Sequence, residues 1–123
     1  MSATSVSAKV NLRDKLATFT DHWAPRIVAS YNGNEIMVVR VEGEFVWHSH
    51  PDTDDFFLVI DGELDIELRD RTVTLGPGEL FIVPTGVEHR PVARRGEVKV
   101  LLIEPRGTPN TGDEATAAQK VAI

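Results

Sequence analysis

The sequence predicts an all-β domain, an antiparallel sandwich or barrel of short strands preceded by one short helix. Two observations carry that prediction. Between residues 26 and 104, short apolar and β-branched runs recur with almost no helical periodicity. Turn chemistry separates them: Asn32-Gly33, Asp61-Gly62, Gly76-Pro77-Gly78, Pro84-Thr85-Gly86 and the stretch from Arg94 to Glu97. Many short strands joined by tight turns bury their apolar faces as a sandwich or closed barrel. The chain has 123 residues, 41% of them apolar, which fits one domain with one core.

The elements follow in order. Residues 1–10 are small and polar and read as a flexible N-terminus. Next, Leu12, Leu16 and Phe19 stand at i, i+4 and i+7, with Asn11 as N-cap, and predict a short amphipathic helix. The runs RIVASY and EIMVVRV flank Asn32-Gly33, the strongest short hairpin signal. Strands are then expected at FVWHSH, DFFLVI, ELDIEL, TVTL, LFIVP, EHRPVA and VKVLLIE. The barrel domain spans residues 11–107, and residues 108–123 lose the alternation and read as a tail or arm.

Composition excludes several classes of function. A net charge of −6 disfavours nucleic acid, because a phosphate backbone rewards clustered Lys and Arg. The adjacent pair Arg94 and Arg95 is no basic stripe. Cysteine is absent, which removes disulfides, thiolate metal sites and thiol nucleophiles together. No apolar run approaches the ~18 residues needed to span a bilayer, and the N-terminus has no apolar signal core. A cytoplasmic protein with no membrane or nucleic-acid partner is the expectation.

One stretch, WHSHPDTDDFF, places polar residues where a strand should build a core. On a strand, i and i+2 face the same way, so His48 and His50 can present two imidazoles side by side. Asp55 follows after the bend that Pro51 suits, and His89 follows the turn Pro84-Thr85-Gly86. Each piece alone is more often a solvated strand end, an acidic loop or a satisfied histidine. Three of the four histidines in two such segments favour convergence on one metal ion. Imidazole suits iron, copper, nickel and zinc, and a carboxylate extends the range to manganese.

The spacing of Gly43, His48, His50, Asp55 and Gly62 resembles the first motif of the cupins. That of Gly78, Pro84, Gly86 and His89 resembles their second motif, in the right order. The resemblance, to small single-domain bacterial conserved-barrel cupins, implies a double-stranded β-helix, a jelly-roll barrel with a metal in its mouth. It puts the ligands at His48, His50, Asp55 and His89, with one divalent transition metal (Fe, Mn, Ni, Zn or Co), and implies a homodimer. Three features depart from the pattern. Four residues rather than five separate Gly43 from His48, Ala93 stands where the second motif ends in asparagine, and the acidic position is aspartate rather than glutamate. The shorter side chain loses ~1.5 Å of reach. The backbone can move closer, a water can bridge, or three histidines can suffice.

Fold does not select a reaction. The expected function is a mononuclear metalloenzyme acting on a small polar metabolite, by isomerase, dioxygenase or lyase chemistry, with no assigned catalytic residue. The alternative is a non-enzymatic small-ligand binding or sensing barrel. Glu88 is a candidate base, while surface placement is expected for Arg40, Tyr31 and Glu63. Phe45, Trp47, Phe56 and Phe57 are expected as core or dimer contacts rather than substrate platforms, and His22 as chemically silent.

Overall fold

The computed structural model describes residues 8–123, so most of the expected flexible N-terminus, residues 1–7, lies outside the described residues. The helix forms but is short. α1 (Leu12–Leu16) opens on Asn11, whose side chain accepts from the backbone N–H of Asp14 at 3.0 Å, the expected cap. Phe19 lies beyond its end, yet it is buried with Leu16 against the sheet.

Eight strands follow: β1 (Arg26–Tyr31), β2 (Asn34–Glu44), β3 (Asp55–Asp61), β4 (Leu64–Leu68), β5 (Thr72–Leu75), β6 (Leu80–Val83), β7 (His89–Pro105) and β8 (Val121–Ala122). The β1–β2 hairpin turns on Asn32 and Gly33, which have φ of 50° and 78°. Two positive φ values in succession are what a type I′ turn requires and what Asn-Gly supplies.

β7 is the hub. It pairs antiparallel with β2 through most of its length, with β4 at His89–Val92, and with β3 at Lys99–Leu101. β6 pairs with β3, β5 with β4, and β8 runs parallel to β1. The result is an eight-stranded sheet that wraps around a core without closing into a continuous ladder.

β7 also corrects an expectation. Arg94 to Glu97 make no turn between two strands but bulge within one continuous strand of 17 residues. Opposite the step from Val41 to Gly43 on β2, β7 moves from Val98 to Ala93: five residues against two. Such a bulge bends the strand, which lets β7 serve β3 at one end and β4 at the other. The arginines are ion-paired rather than free. Arg94 reaches Asp65 at 2.7 Å and Glu67 at 2.5 Å, and Arg95 reaches Asp65 at 2.6 Å and also pairs with Glu63.

Strand alternation divides the apolar residues into two sets. Val39, Val41, Phe57, Val59, Leu64, Ile66 and Val100 face the barrel interior. Val38 and Leu101, on the opposite parity, face outward and are covered by Leu16 and Phe19. A fully buried Leu or Phe contributes about 1.5–3 kcal/mol, so α1 is held by its two apolar anchors more than by its own propensity.

The tail is ordered onto the barrel. Val121–Ala122 pair with Arg26–Ile27 on β1, and the Lys120 ammonium is drawn to Glu104. Among the described residues no helix is long and apolar enough to cross a membrane.

Candidate metal centre

Between β2 and β3 the chain does not form the strand expected at FVWHSH. Residues 45–50 run as a loop that touches β7 by one bridge. The His48 N–H donates to the His89 carbonyl at 3.0 Å, and the His89 N–H donates back to His48 at 2.9 Å. That reciprocal pair brings the two motifs together and sets their ring centroids 4.3 Å apart. His50 is held by a second crossing, where its carbonyl accepts from the Gly86 N–H at 2.8 Å. His48 and His50 face one point, as their i, i+2 spacing predicts, and backbone pairing with the second motif holds them there.

The bend from Pro51 to Asp54 is cross-linked to the same turn. Asp54 Oδ1 accepts from the Thr85 N–H at 2.8 Å and the Thr85 hydroxyl at 2.9 Å. Asp54 thus closes the loop, and Asp55, the first residue of β3, points inward and is buried.

His48, His50, Asp55 and His89 are all buried, and each offers a ligand atom within 4.8 Å of the others. Asp55 Oδ2 lies 2.8 Å from His89 Nε2, 3.2 Å from His50 Nε2 and 4.0 Å from His48 Nε2. The shorter aspartate therefore reaches the imidazoles directly. Ligands held ~2.1 Å from one ion stand ~3 Å apart when adjacent and ~4.2 Å when opposite. The observed separations need only small side-chain adjustments to match.

The hydrogen-bond chemistry fits a cation as well. His48 Nδ1–H donates to the Val46 carbonyl and His89 Nδ1–H to the Val87 carbonyl, each at 2.9 Å. With Nδ1 carrying the proton, Nε2 presents a lone pair to the centre, the tautomer a metal ligand needs. His89 Nε2 stands 2.8 Å from Asp55 Oδ2, so either a proton or a metal cation lies between them. Burial pushes His48 down to about 4, so it is neutral at pH 7. Burial alone would raise Asp55, but hydrogen bonds from His50 and His89 outweigh it and hold the carboxyl at about 2. His50 Nδ1 alone among the described buried side-chain polar atoms has no hydrogen-bond partner. Burial lowers His50, yet its contact with Asp55 wins and raises it.

A cavity opens beside the cluster, with His48 and Asp55 in its wall, and here several expectations change. Phe45, expected as a core or dimer contact, lines it, as do Trp23 and Glu104; Phe57 reaches it too but is buried in the core as expected. Asn110, from the tail, lines it too. Gly112 packs so closely on the loop that a Cβ there would lie 2.0 Å from the Ser49 carbonyl oxygen, between the two histidines of the first motif. Glu104 is buried; burial pushes its carboxyl up, against the opposing pull of Lys120. Sequence offered little signal for these residues, since Glu104 ends an apolar strand and Lys120 lies in a featureless tail.

The remaining candidates stand apart. Glu88 is exposed and pairs with Arg69 at 3.2 Å, outside the cavity, so the geometry does not place a base there. Tyr31 is exposed, and Glu63 binds Arg95 on the surface. Arg40, expected on the surface, is largely covered and bonds the Leu16 carbonyl and Glu97 beneath α1. His22 binds Glu97 at 2.8 Å, and Trp47 lies under the Arg69 guanidinium at 3.8 Å.

Comparison with known proteins agrees with this architecture. Residues 35–104 match the Cupin_2 family model, a cupin domain, which takes in both motifs. A solved cupin-2 domain protein from Shewanella frigidimarina is 48% identical, over 79% of this chain and 94% of that one, with a TM-score of 0.77. A Neisseria meningitidis protein of known structure is 28% identical, over 80% of this chain and 99% of its own, with a TM-score of 0.72. Uncharacterized protein YdbB of Bacillus subtilis is 34% identical over 64 residues, which is 51% of this chain and 57% of that relative. The chain thus spans little more than half of YdbB but nearly all of the two solved structures. With more than half its length matched and both motifs meeting at one buried cluster, the chain belongs to the cupin domain family.

Proposed function

We propose that the protein is a mononuclear metal-dependent enzyme acting on a small molecule, with His48, His50, His89 and Asp55 as the metal ligands. The observation that carries this reading is the convergence of three buried imidazole Nε2 atoms on one buried carboxylate oxygen. Three imidazoles and one carboxylate on a six-coordinate ion leave two positions for a substrate, and the adjoining cavity gives a substrate access. A divalent metal bound there would supply Lewis acidity to an oxygen of the substrate.

The chain's own residues supply the rest. Val46 and Val87 orient two imidazoles through their carbonyls, the Asp54–Thr85 link holds the loop, and the cavity beside them is walled largely by apolar side chains. A homodimer is part of the reading. Exposed Leu80 and Ile82 on β6, which pairs only with β3, support it.

Elemental analysis of purified protein, followed by titration with Fe, Mn, Co, Ni and Zn, tests the proposal. One metal per chain is expected, with affinity lowered in His50→Ala by more than the ~10–100-fold that loss of an outer partner costs. Protein that is metal-free as isolated and takes up none of the five ions would overturn it.

A further inference from the structure

The cavity walls bear on what could bind there. Trp23 has φ of +61°, in the left-handed region that costs a bulky residue about 1–3 kcal/mol. Three contacts hold it there. Its N–H donates to the Arg40 carbonyl at 2.8 Å, its indole N–H donates to the Glu42 carbonyl at 3.0 Å, and its ring stacks on Phe45. The two ring centroids are 4.8 Å apart with the planes 22° from parallel. Phe45 in turn meets the His48 ring edge-on at 5.3 Å. A flat aromatic wall therefore runs from the cavity to the metal cluster, and neither Trp23 nor Phe45 is fully buried. Strain retained at a cavity wall against these costs is the usual mark of a functional position.

Phe57, Val100 and Leu102 also line the cavity. The cavity opens to solvent at its mouth. No Arg or Lys lines it, so nothing there would neutralise a phosphate. Apart from the His–Asp cluster, its charged group is Glu104. Oxygen Oε1 of that residue is taken by Lys120 at 2.5 Å, while Oε2, which is not fully enclosed, hydrogen-bonds to no described residue. Glu104 and Lys120 cancel, and a divalent ion on one carboxylate leaves a net positive centre, which repels an ammonium.

We infer that this cavity takes a small, uncharged molecule with an apolar, ring-sized body and a hydroxyl group, the ring against Trp23 and Phe45 and the hydroxyl donating to Glu104. The inference rests on the metal-centre reading and narrows its substrate class, replacing the polar metabolite expected from sequence. A sugar phosphate would leave its phosphate unpaired against apolar walls. A plain hydrocarbon would leave Oε2 of Glu104 desolvated and unpaired.

The chain has two tryptophans, so Trp47→Phe leaves Trp23 as the sole indole N–H signal in an NMR spectrum. This protein, with and without Zn²⁺, is titrated with cyclohexanol, phenol, methylcyclohexane, benzylamine and glucose 6-phosphate, and zinc uptake is read from the histidine ring signals. Saturable shifts of the Trp23 indole with cyclohexanol and phenol are expected, at millimolar midpoints. The hydrocarbon should bind at least fivefold more weakly, and the amine and the phosphate should leave the signal unmoved. Phe45→Ala should weaken alcohol binding several-fold; Phe45→Leu, which keeps apolar bulk, should weaken it less and guards against misfolding. Zinc uptake with no response to either alcohol, or a response to glucose 6-phosphate or benzylamine instead, overturns this inference alone. An alcohol response in protein that takes up neither zinc nor any of the other four ions overturns the metal reading and leaves the cavity as the binding site.

Discussion

His48 and His89 each have Nδ1 anchored to a carbonyl two residues earlier, whereas His50 has no partner at Nδ1. That asymmetry divides the work of proton and metal. Without an ion, His89 and His50 both meet Asp55 Oδ2, and the His50 contact lifts its affinity for a proton above the ordinary histidine value near 6.5. His48 stays neutral down to about 4, and Asp55 stays ionised down to about 2. A metal that binds His50 must displace the proton that this raised affinity holds there. The sign follows: metal affinity falls as pH drops, beginning above pH 6.5, by about tenfold per unit while one proton is displaced. Zinc titrations from pH 8 to pH 5 check this. A flat profile would exclude imidazole ligation.

At the scale of elements, the tail and the first-motif loop form one unit. Gly112 has φ of 77° and leaves no room for a Cβ against the Ser49 carbonyl. Gly112→Ala is expected to lift the tail from the loop at a cost of about 1–3 kcal/mol, with faster hydrogen exchange in residues 105–120 than in β2. Unchanged exchange there would show that the tail is held elsewhere. The second tie is Lys120, whose Nζ bonds Glu104 and also the Thr108 carbonyl. Lys120→Met leaves Glu104 buried without its cation, which for a well-buried pair costs about 3–5 kcal/mol. Burial already raises Glu104, and without Lys120 the folded state binds its proton more tightly still. The variant's deficit should therefore shrink as pH falls through the folded-state pKa of Glu104, because the carboxyl is neutral below it. Urea melts of both proteins at pH 5 and pH 8 measure the difference. An equal deficit at both would mean that charge burial is not its cause.

The strands themselves were legible because apolar alternation and turn residues act locally. RIVASY, the Asn32-Gly33 turn, DFFLVI, ELDIEL, TVTL and LFIVP all lie where pattern placed them. The exceptions have a common cause. FVWHSH has strand propensity but only one bridge to pair with, and Arg94 to Glu97 have turn composition but are carried through β7 by β2 alongside. In both places partners distant in sequence overrode local preference, as they commonly do for β structure.

For the whole molecule, metal and fold should be coupled, since the cluster joins the loop before β3 to the start of β7, two segments far apart in the chain. Binding to the folded state alone stabilises by about 4 kcal/mol when free metal is a thousand times its Kd. For a domain of this size that corresponds to roughly 10–20 °C in Tm. Chelation of metal-loaded protein should lower Tm by that order, with less than a few degrees of change in His50→Ala. Equal Tm with and without chelator would separate the cluster from any metal.

The sequence alone determined the strand content, the two motifs and the four residues that meet, because spacing, turn chemistry and side-chain identity are local properties. Only the tertiary structure decided that Asp55 reaches the imidazoles. It also decided that Trp23 and Phe45 wall a cavity, and that Glu104, Lys120 and Gly112 tie the tail across it. Those contacts join residues dozens of positions apart, and no local pattern encodes which distant backbone a strained tryptophan or a buried glutamate will face.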